Sequence, residues 1–248
     1  EVRSAIVHFR GLSLASIWSA AGNAALCQYN HLIFAETSRL HMDSVFLVDS
    51  GGQYLVGTTD ITRTVAIGDP GAEIRERFTL VLKGHIALDR AIFPEGTNGT
   101  QLDAFARQCL WQAGLDYDHG TGHGVGAFLS VHEGPQRIAK VFNNHALRPG
   151  MVVSNEPGYY KDGAYGIRCE NLVAVRTIPY DHDDGPSMLG FEALTLVPFD
   201  TRLIDTTLLT PAEKEWIDDY HRQVRQALAP KLNGADAAWL EQATAELK

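Results

Sequence analysis

Two aspartates lie at strand-like positions beside apolar residues, where this residue type is uncommon. Asp49 ends the apolar segment SVFLVD and Asp60 lies eleven residues later, beyond a Gly51-Gly52 turn. Each aspartate alone is most simply interpreted as a turn cap. If the two segments fold back on each other, however, the two carboxylates lie side by side, and the pair becomes a candidate site.

Three histidines fall within fourteen residues of a glycine-rich segment. His119 and His123 are four residues apart, with glycines at 120, 122, 124 and 126 that disfavour a helix. On an extended chain an even spacing places both imidazoles on one face, and His132 follows nine residues later. A lone histidine is most often a satisfied structural residue, but this cluster predicts a shared cleft.

Two glutamates, Glu156 and Glu170, each follow an apolar strand pattern. A buried glutamate must be paired or bound to a metal. Arg168 is two residues before Glu170 and therefore on the same strand face. The alternative interpretation is an ordinary Arg168–Glu170 ion pair at the surface of a sheet.

Together these residues offer four carboxylates and an imidazole. Four carboxylates balance the charge of two divalent cations, and oxygen-rich ligation favours Mn or Mg, with imidazole extending the choice to Zn, Co or Fe. Paired metals with a shared water are a known arrangement for hydrolysis. Competing motifs fail: Gly122, Gly124 and Ala127 match a loose dinucleotide pattern without the following helix, and neither a phosphate-binding loop nor a GxSxG motif is present.

The elements that must position these residues alternate between strand and helix patterns. Residues 1–9 are predicted to end an amphipathic helix, and further helices are predicted over 72–93, from a Thr100–Asp103 capping box to about 112, from Thr210-Pro211 to about 228, and at the C-terminus. Strands are predicted over 44–49, within 53–68, and over 151–160, 164–175 and 191–200. This order predicts an α+β fold with antiparallel sheet in a single domain over residues 1–248.

Composition excludes several classes of function. Lys and Arg total 21 against 30 Asp and Glu, for a net charge of −9, and no basic cluster suggests nucleic-acid binding. We expect no signal peptide from the charged first residues, and the sequence contains no apolar run long enough to span a membrane. Its three cysteines favour a reducing compartment, so we expect a cytoplasmic protein. Because it opens on Glu1, we also expect it to be the C-terminal domain of a longer protein.

Three segments, DSGGQYLVGTTDITRT, HGTGHGVGAFLSVHEGP and SNEPGYYKDGAYGIRCEN, resemble the metal-site segments of the aminopeptidase P family. This is a family of Xaa-Pro aminopeptidases in the pita-bread metallopeptidase group, beside prolidase and methionine aminopeptidase. The resemblance implies a pita-bread fold, in which pseudo-two-fold antiparallel sheets are covered by helices. It also implies hydrolysis of the N-terminal bond of peptides with proline at the second position.

The resemblance also implies roles for individual residues. Two divalent metals are implied, Mn foremost with Zn or Co possible, and a homodimer is the family expectation. Glu156 matches the general base, and His119 and His132 match histidines of the substrate cleft. Tyr160 and Arg168 match positions that support the ligands and border the substrate. The implied metal ligands are Asp49, Asp60, His123, Glu156 and Glu170, with Asp60 and Glu170 bridging both metals.

One departure from the family pattern concerns Gln28, which stands where the family usually has a histidine that contacts substrate. A glutamine can form hydrogen bonds but cannot titrate near neutral pH. We therefore expect metal binding with reduced activity. Two alternatives remain open at this point: a prolidase that cuts only Xaa-Pro dipeptides, and a catalytically weakened peptide-binding domain.

Overall fold

The computed structural model of the chain describes residues 6–25, 39–179 and 185–247. Gln28 lies outside these ranges. The helices are α1 (Gly71–Asp89), α2 (Gly99–Gln112), α3 (Pro211–Leu228) and α4 (Gly234–Ala243). The strands are β1 (Phe9–Leu12), β2 (Ile17–Ala20), β3 (Ser44–Asp49), β4 (Gly52–Tyr54), β5 (Gly57–Thr58), β6 (Thr62–Ile67), β7 (Phe93–Pro94), β8 (Gly122–Gly124), β9 (Glu133–Ile138), β10 (Val152–Asn155), β11 (Gly158–Lys161), β12 (Tyr165–Arg168), β13 (Asn171–Ile178) and β14 (Met188–Ala193).

Two antiparallel sheets form the framework of the α+β fold. The larger has six strands in the order β7-β14-β13-β10-β8-β9, and the smaller has three in the order β2-β3-β6. The hairpin β11-β12 and a small sheet β1-β4-β5 complete the described strands. Within the described ranges, helices long and apolar enough to cross a membrane are absent.

Helix α1 is the central element of the core. Its apolar residues Phe78, Val81, Leu82 and Ile86 are almost completely buried, as their helical spacing predicts. The helix ends at Asp89, four residues earlier than predicted, because Phe93 belongs to β7 and pairs with β14.

Helices α1 and α2 cross at a glycine. A Cβ atom placed on Gly84 would lie 2.1 Å from the backbone oxygen of Ala106, so the two backbones approach more closely than any side chain would permit. Helix α2 opens with a capping box formed by Asn98 and Gln101, and the prediction that Thr100 and Asp103 form it is wrong. Asp103 is instead buried, where it accepts a hydrogen bond from Arg107.

The prediction of a helix at residues 1–9 is wrong for the part that the structure describes. Phe9 begins strand β1, which pairs antiparallel with β4, and its ring lies 5.7 Å from that of Tyr54. His8 has a φ of 71°, which a helix cannot contain. Pairing with β4 satisfies the backbone groups that a helix would otherwise have satisfied.

A buried arginine connects the C-terminal part of the chain to the sheet β2-β3-β6. The guanidinium of Arg63 on β6 donates to the carbonyls of Val197 and Pro198 and to the hydroxyl of Tyr220 on α3. The predicted strand over 191–200 is realised only in part, because β14 ends at Ala193 and the residues that follow supply these carbonyl acceptors instead. Helix α3 begins as predicted, with Thr210 as its N-cap and proline in its first turn.

Candidate metal centre

The five acidic and histidine residues predicted as ligands line one cavity of about 660 Å³ between the two sheets. Asp49 ends β3 opposite Thr62, and Asp60 lies two residues before β6, so the chain folds back between them as the sequence predicts. His123 lies on β8, Glu156 directly follows β10, and Glu170 lies in the two-residue connection between β12 and β13.

A close approach of β8 and β10 brings His123 near Glu156. A Cβ atom on Gly122 would lie 1.9 Å from the carbonyl oxygen of Ser154, so glycine is needed for this contact. The Nε2 atom of His123 lies 3.4 Å from Glu156 Oε1 and 3.5 Å from Asp60 Oδ2. Its Nδ1–H donates to the Gly124 carbonyl over 2.9 Å, which directs Nε2 toward the carboxylates.

The carboxylates are crowded in a buried space. Burial raises the pKa of Asp49, Glu156 and Glu170, and the negative charge of Asp60 raises each further. The Oδ1 atoms of Asp49 and Asp60 are buried without a hydrogen-bond partner among the described residues. Such an arrangement is costly unless cations compensate it.

The donor set fits divalent metal ions. Ligand atoms of Asp60, His123 and Glu170 all lie within 4.8 Å of one another. Asp49 and Glu156 line the same cavity. Hard oxygen donors with one imidazole suit Mn, Zn or Co, and the two unpartnered carboxylate oxygens are available to bind them.

Arg168 supports the candidate metal centre through side-chain hydrogen bonds. It is buried and donates to Asp49 Oδ2 over 2.6 Å, to the Thr62 hydroxyl over 2.9 Å and to the Tyr160 hydroxyl over 2.9 Å. The hairpin β11-β12 packs against the sheet β2-β3-β6, and both Arg168 and Glu170 are buried. The alternative of an Arg168–Glu170 pair at the surface of a sheet is therefore wrong in its location.

The three histidines share the cavity, as their spacing predicts. His119 donates from Nδ1 to the Gly120 carbonyl over 2.7 Å, so its Nε2 accepts from the Tyr160 hydroxyl over 2.8 Å. Burial lowers the pKa of His119 to about 4, which keeps the ring neutral. His132 is exposed at the rim, with its ring 4.4 Å from that of His123.

Sequence reasoning missed two hydroxyls that hold the carboxylates. Thr62 donates to Glu170 Oε2 over 2.6 Å, and Ser154 donates to Glu156 Oε1 over 2.9 Å. Thr62 follows Asp60 by two residues, and Ser154 precedes Glu156 by two. Since alternate strand residues share a face, this spacing was a usable signal.

The curled antiparallel sheets, the covering helices and the carboxylate-rich cavity between the sheets are those of a pita-bread metallopeptidase. Residues 2–177 match metallopeptidase family M24 and residues 187–247 match the C-terminal region of peptidase M24, so the chain belongs to this family.

Named relatives agree with this assignment. The chain is 49% identical over 249 residues to a probable Xaa-Pro aminopeptidase P of Coprinopsis cinerea, covering 98% of this chain and 40% of that protein. It is 49% identical to aminopeptidase P1 of Lotus japonicus, covering 98% of this chain and 37% of that protein. The chain therefore spans about two fifths of the length of these relatives.

Solved structures agree as well. The X-prolyl aminopeptidase of Caenorhabditis elegans, described as a cytosolic enzyme with a di-nuclear active site, superposes with a TM-score of 0.93 at 39% identity, covering 99% of this chain and 40% of that one. An X-Pro aminopeptidase from Thermotoga maritima gives a TM-score of 0.64 at 29% identity, covering 77% of this chain and 49% of that one.

Proposed function

We propose that this chain is the catalytic region of a metal-dependent exopeptidase that hydrolyses the N-terminal Xaa-Pro bond of peptides. The observation that carries the proposal is the buried cluster of four carboxylates and His123 in one cavity. The names of the relatives support the Xaa-Pro specificity. In this proposal residues 1–248 form one catalytic domain of a longer protein.

The same proposal assigns two divalent metals to the cavity, with Mn foremost and Zn or Co as substitutes. The di-nuclear site of the C. elegans enzyme supports the number. The proposed ligands of one metal include Asp49, and those of the other include His123 and Glu156. Asp60 and Glu170 are the proposed ligands shared by both metals, as the family resemblance implies, and their ligand atoms lie within 4.8 Å of each other.

When bound, the two metals would lower the pKa of a water held between them and polarise the scissile carbonyl. Glu156 is the proposed general base, which takes the proton of the attacking water and delivers it to the departing proline nitrogen. His132 borders the same cavity and is the residue proposed to stabilise the developing oxyanion. The neutral His119 also lines the cavity, but its one N–H donates to the Gly120 carbonyl, so its proposed role is to border the substrate.

Recognition of proline is assigned to apolar contacts. The proline nitrogen of the scissile amide carries no hydrogen and cannot donate a hydrogen bond. The lining of the cavity includes apolar residues beside the carboxylates: Leu14, Ala15, Ile17, Ala139 and Val141. An apolar lining of this kind suits a pyrrolidine ring.

The decisive experiment measures release of the N-terminal residue from an Xaa-Pro-Yaa tripeptide by metal-stripped protein, with and without added Mn²⁺. We expect release only with metal. If an Xaa-Pro dipeptide is cleaved and the tripeptide is refused, the chain is a prolidase. If metals bind and neither peptide is cleaved, the chain is a weakened peptide-binding domain. If metals do not bind, the ligand assignment is wrong.

The effect of Gln28 requires its own variant, because this residue lies outside the described ranges. We expect Gln28→His to raise kcat with metal binding unchanged, and an unchanged kcat would contradict the expectation of reduced activity.

A cytoplasmic location, supported by the cytosolic C. elegans neighbour, and a homodimer complete the proposal. Cell fractionation and sedimentation test them.

A further inference from the structure

Two permanent cations, Arg168 and Arg137, line the metal cavity. Every nitrogen of the Arg168 guanidinium donates to a side chain of the site. Arg137 is different. It is exposed, its hydrogen bond to the Phe142 carbonyl is 3.4 Å long, and within the described residues it has no carboxylate partner within 4.0 Å.

Strand β9 directs Arg137 toward the cavity. Arg137 pairs with His123 on β8, and directly opposed residues of an antiparallel pair lie on the same sheet face with Cβ atoms about 5 Å apart. The residues that alternate with Arg137, Ala139 and Val141, line the cavity too, whereas Ile138 is fully buried on the other face. A β-bulge separates this pair from the next one, Gly124 with Glu133, and so fixes which residue of β9 stands opposite His123.

The charge of Arg137 is not used by the metal centre. Four carboxylates balance two divalent metals, and Arg168 is already paired with Asp49 over 2.6 Å. The guanidinium of Arg137 therefore faces the cleft as an uncompensated cation with a planar pair of donors. Carboxylate is the group that such a fork binds best, through two parallel hydrogen bonds.

A short peptide substrate carries a carboxylate at a matching distance. One extended residue spans about 3.5 Å, so the terminal carboxylate of an Xaa-Pro-Yaa tripeptide lies about 7 Å beyond the scissile carbonyl. A long arginine side chain that starts beside His123 spans such a distance. The ammonium end of the peptide has the opposite charge and is directed away from Arg137 toward the acidic part of the cavity.

We infer that Arg137 is a specificity-determining residue that binds the C-terminal carboxylate of short peptides, so that free tripeptide acids are preferred over their amides. This inference rests on the proposed peptidase function. It places the part of the substrate that follows the scissile bond beside β9. It also gives a role to a cavity residue that is not one of the proposed metal ligands.

The test compares Ala-Pro-Ala with Ala-Pro-Ala amide on the Mn²⁺-loaded full chain. We expect kcat/KM to favour the free acid by about tenfold, the effect of a hydrogen bond to a charged group. In Arg137→Gln this preference should fall to near one through KM, with kcat retained. Arg137→Lys should restore part of it, because lysine keeps the charge but not the fork. Arg148→Gln, which changes an exposed arginine outside the cavity, should leave the ratio unchanged.

Two outcomes would overturn the inference: a wild-type protein that cleaves both peptides equally, and an Arg137→Gln variant that keeps the preference. If neither peptide is cleaved, the proposed function fails, and binding of the two peptides by calorimetry then decides the role of Arg137. Tighter binding of the acid that disappears in Arg137→Gln would still support it, and equal binding would refute it.

Discussion

Three of the four carboxylates around the proposed metals are held by two kinds of donor, a guanidinium and hydroxyl groups. Asp49 accepts from a buried guanidinium, Glu170 from the Thr62 hydroxyl and Glu156 from the Ser154 hydroxyl. Neutral donors orient a carboxylate without cancelling its charge, so Glu156 and Glu170 keep their charge for a metal. The guanidinium beside Asp49 lowers the cost of burying a fourth carboxylate in the same cavity.

Removing the proposed general base should abolish most of the activity. We expect Glu156→Gln to lower kcat by about 10²- to 10⁴-fold, because glutamine cannot accept the water proton. The measurement is kcat at saturating tripeptide with the metal content of each preparation determined. Glu192→Gln, on β14 and paired with Arg176, is the matched control. A near-normal kcat at full metal content would show that another residue is the base.

The sequence predicts correctly that the acidic residues and histidines share one cavity, but it does not identify most of the residues that support them. Asp49, Asp60, Glu156 and Glu170 stand out because acidic residues are unusual beside apolar strand patterns. The hydroxyl of Thr62 is harder to recognise, because threonine is common in strands and only its spacing from Asp60 marks it. Arg137 could not have been recognised either, since the bulge that sets its register with His123 is invisible in the spacing.

At the scale of elements, the packing of α1 depends on the absence of one side chain. Gly84→Ala should destabilise the fold by about 3 kcal/mol or more, because the new methyl group would meet the backbone of α2 at Ala106. Denaturant unfolding of the metal-free protein measures this. Gly57→Ala is the control, since nothing lies within 4 Å of a Cβ there, and its effect should be within about 0.5 kcal/mol. Equal effects of the two substitutions would mean that the helices can separate.

The contact between α1 and α3 should make stability depend on pH. Asp89 accepts from Trp216 Nε1 over 2.9 Å, while its buried Oδ1 lacks a partner among the described residues. Burial raises the pKa of Asp89 from 3.8 to about 6. A raised carboxyl pKa means that the folded state binds the proton more tightly than the unfolded state, so stability falls as pH rises from about 4 to 6.

The variant Asp89→Asn removes this titration. The free energy of unfolding of Asp89→Asn relative to that of the unmodified protein should therefore increase between pH 4 and pH 7, by up to about 3 kcal/mol. Denaturant titrations at a series of pH values measure it. A constant difference across this range would show that Asp89 is ionised in the folded protein even at pH 4.

Sequence patterns predict the elements where one signal dominates. Helix α3 begins at the predicted Thr210-Pro211, and α1 is found over most of its predicted length. The predictions of secondary structure are wrong where contacts between distant segments determine the conformation. Phe9 joins a strand because β4 offers a partner, and β14 ends at Ala193 because the following carbonyls bind Arg63. Neither partner can be identified from local sequence.

For the whole molecule, metal binding should raise stability. A ligand that binds only the folded state stabilises it by about 2.7 kcal/mol at one hundred times its Kd. We expect the melting temperature of metal-stripped protein to rise with Mn²⁺. In Asp60→Asn we expect the rise to be largely lost and the metal-free protein to be no less stable, because one crowded carboxylate is gone. Thermal unfolding with and without Mn²⁺ measures both, and an undiminished rise in Asp60→Asn would remove Asp60 from the centre. Asp219→Asn, at an exposed ion pair, is the control.

The contacts of Arg63 predict that the described parts of the chain unfold as one thermodynamic unit. The guanidinium of Arg63 donates to the carbonyl of Glu170, to the carbonyl of Val197 and to the hydroxyl of Tyr220 on α3. Separating the C-terminal region would leave these donors without their partners. We therefore expect the two regions that match the family models to unfold together. In differential scanning calorimetry they should unfold as a single peak whose calorimetric and van't Hoff enthalpies agree.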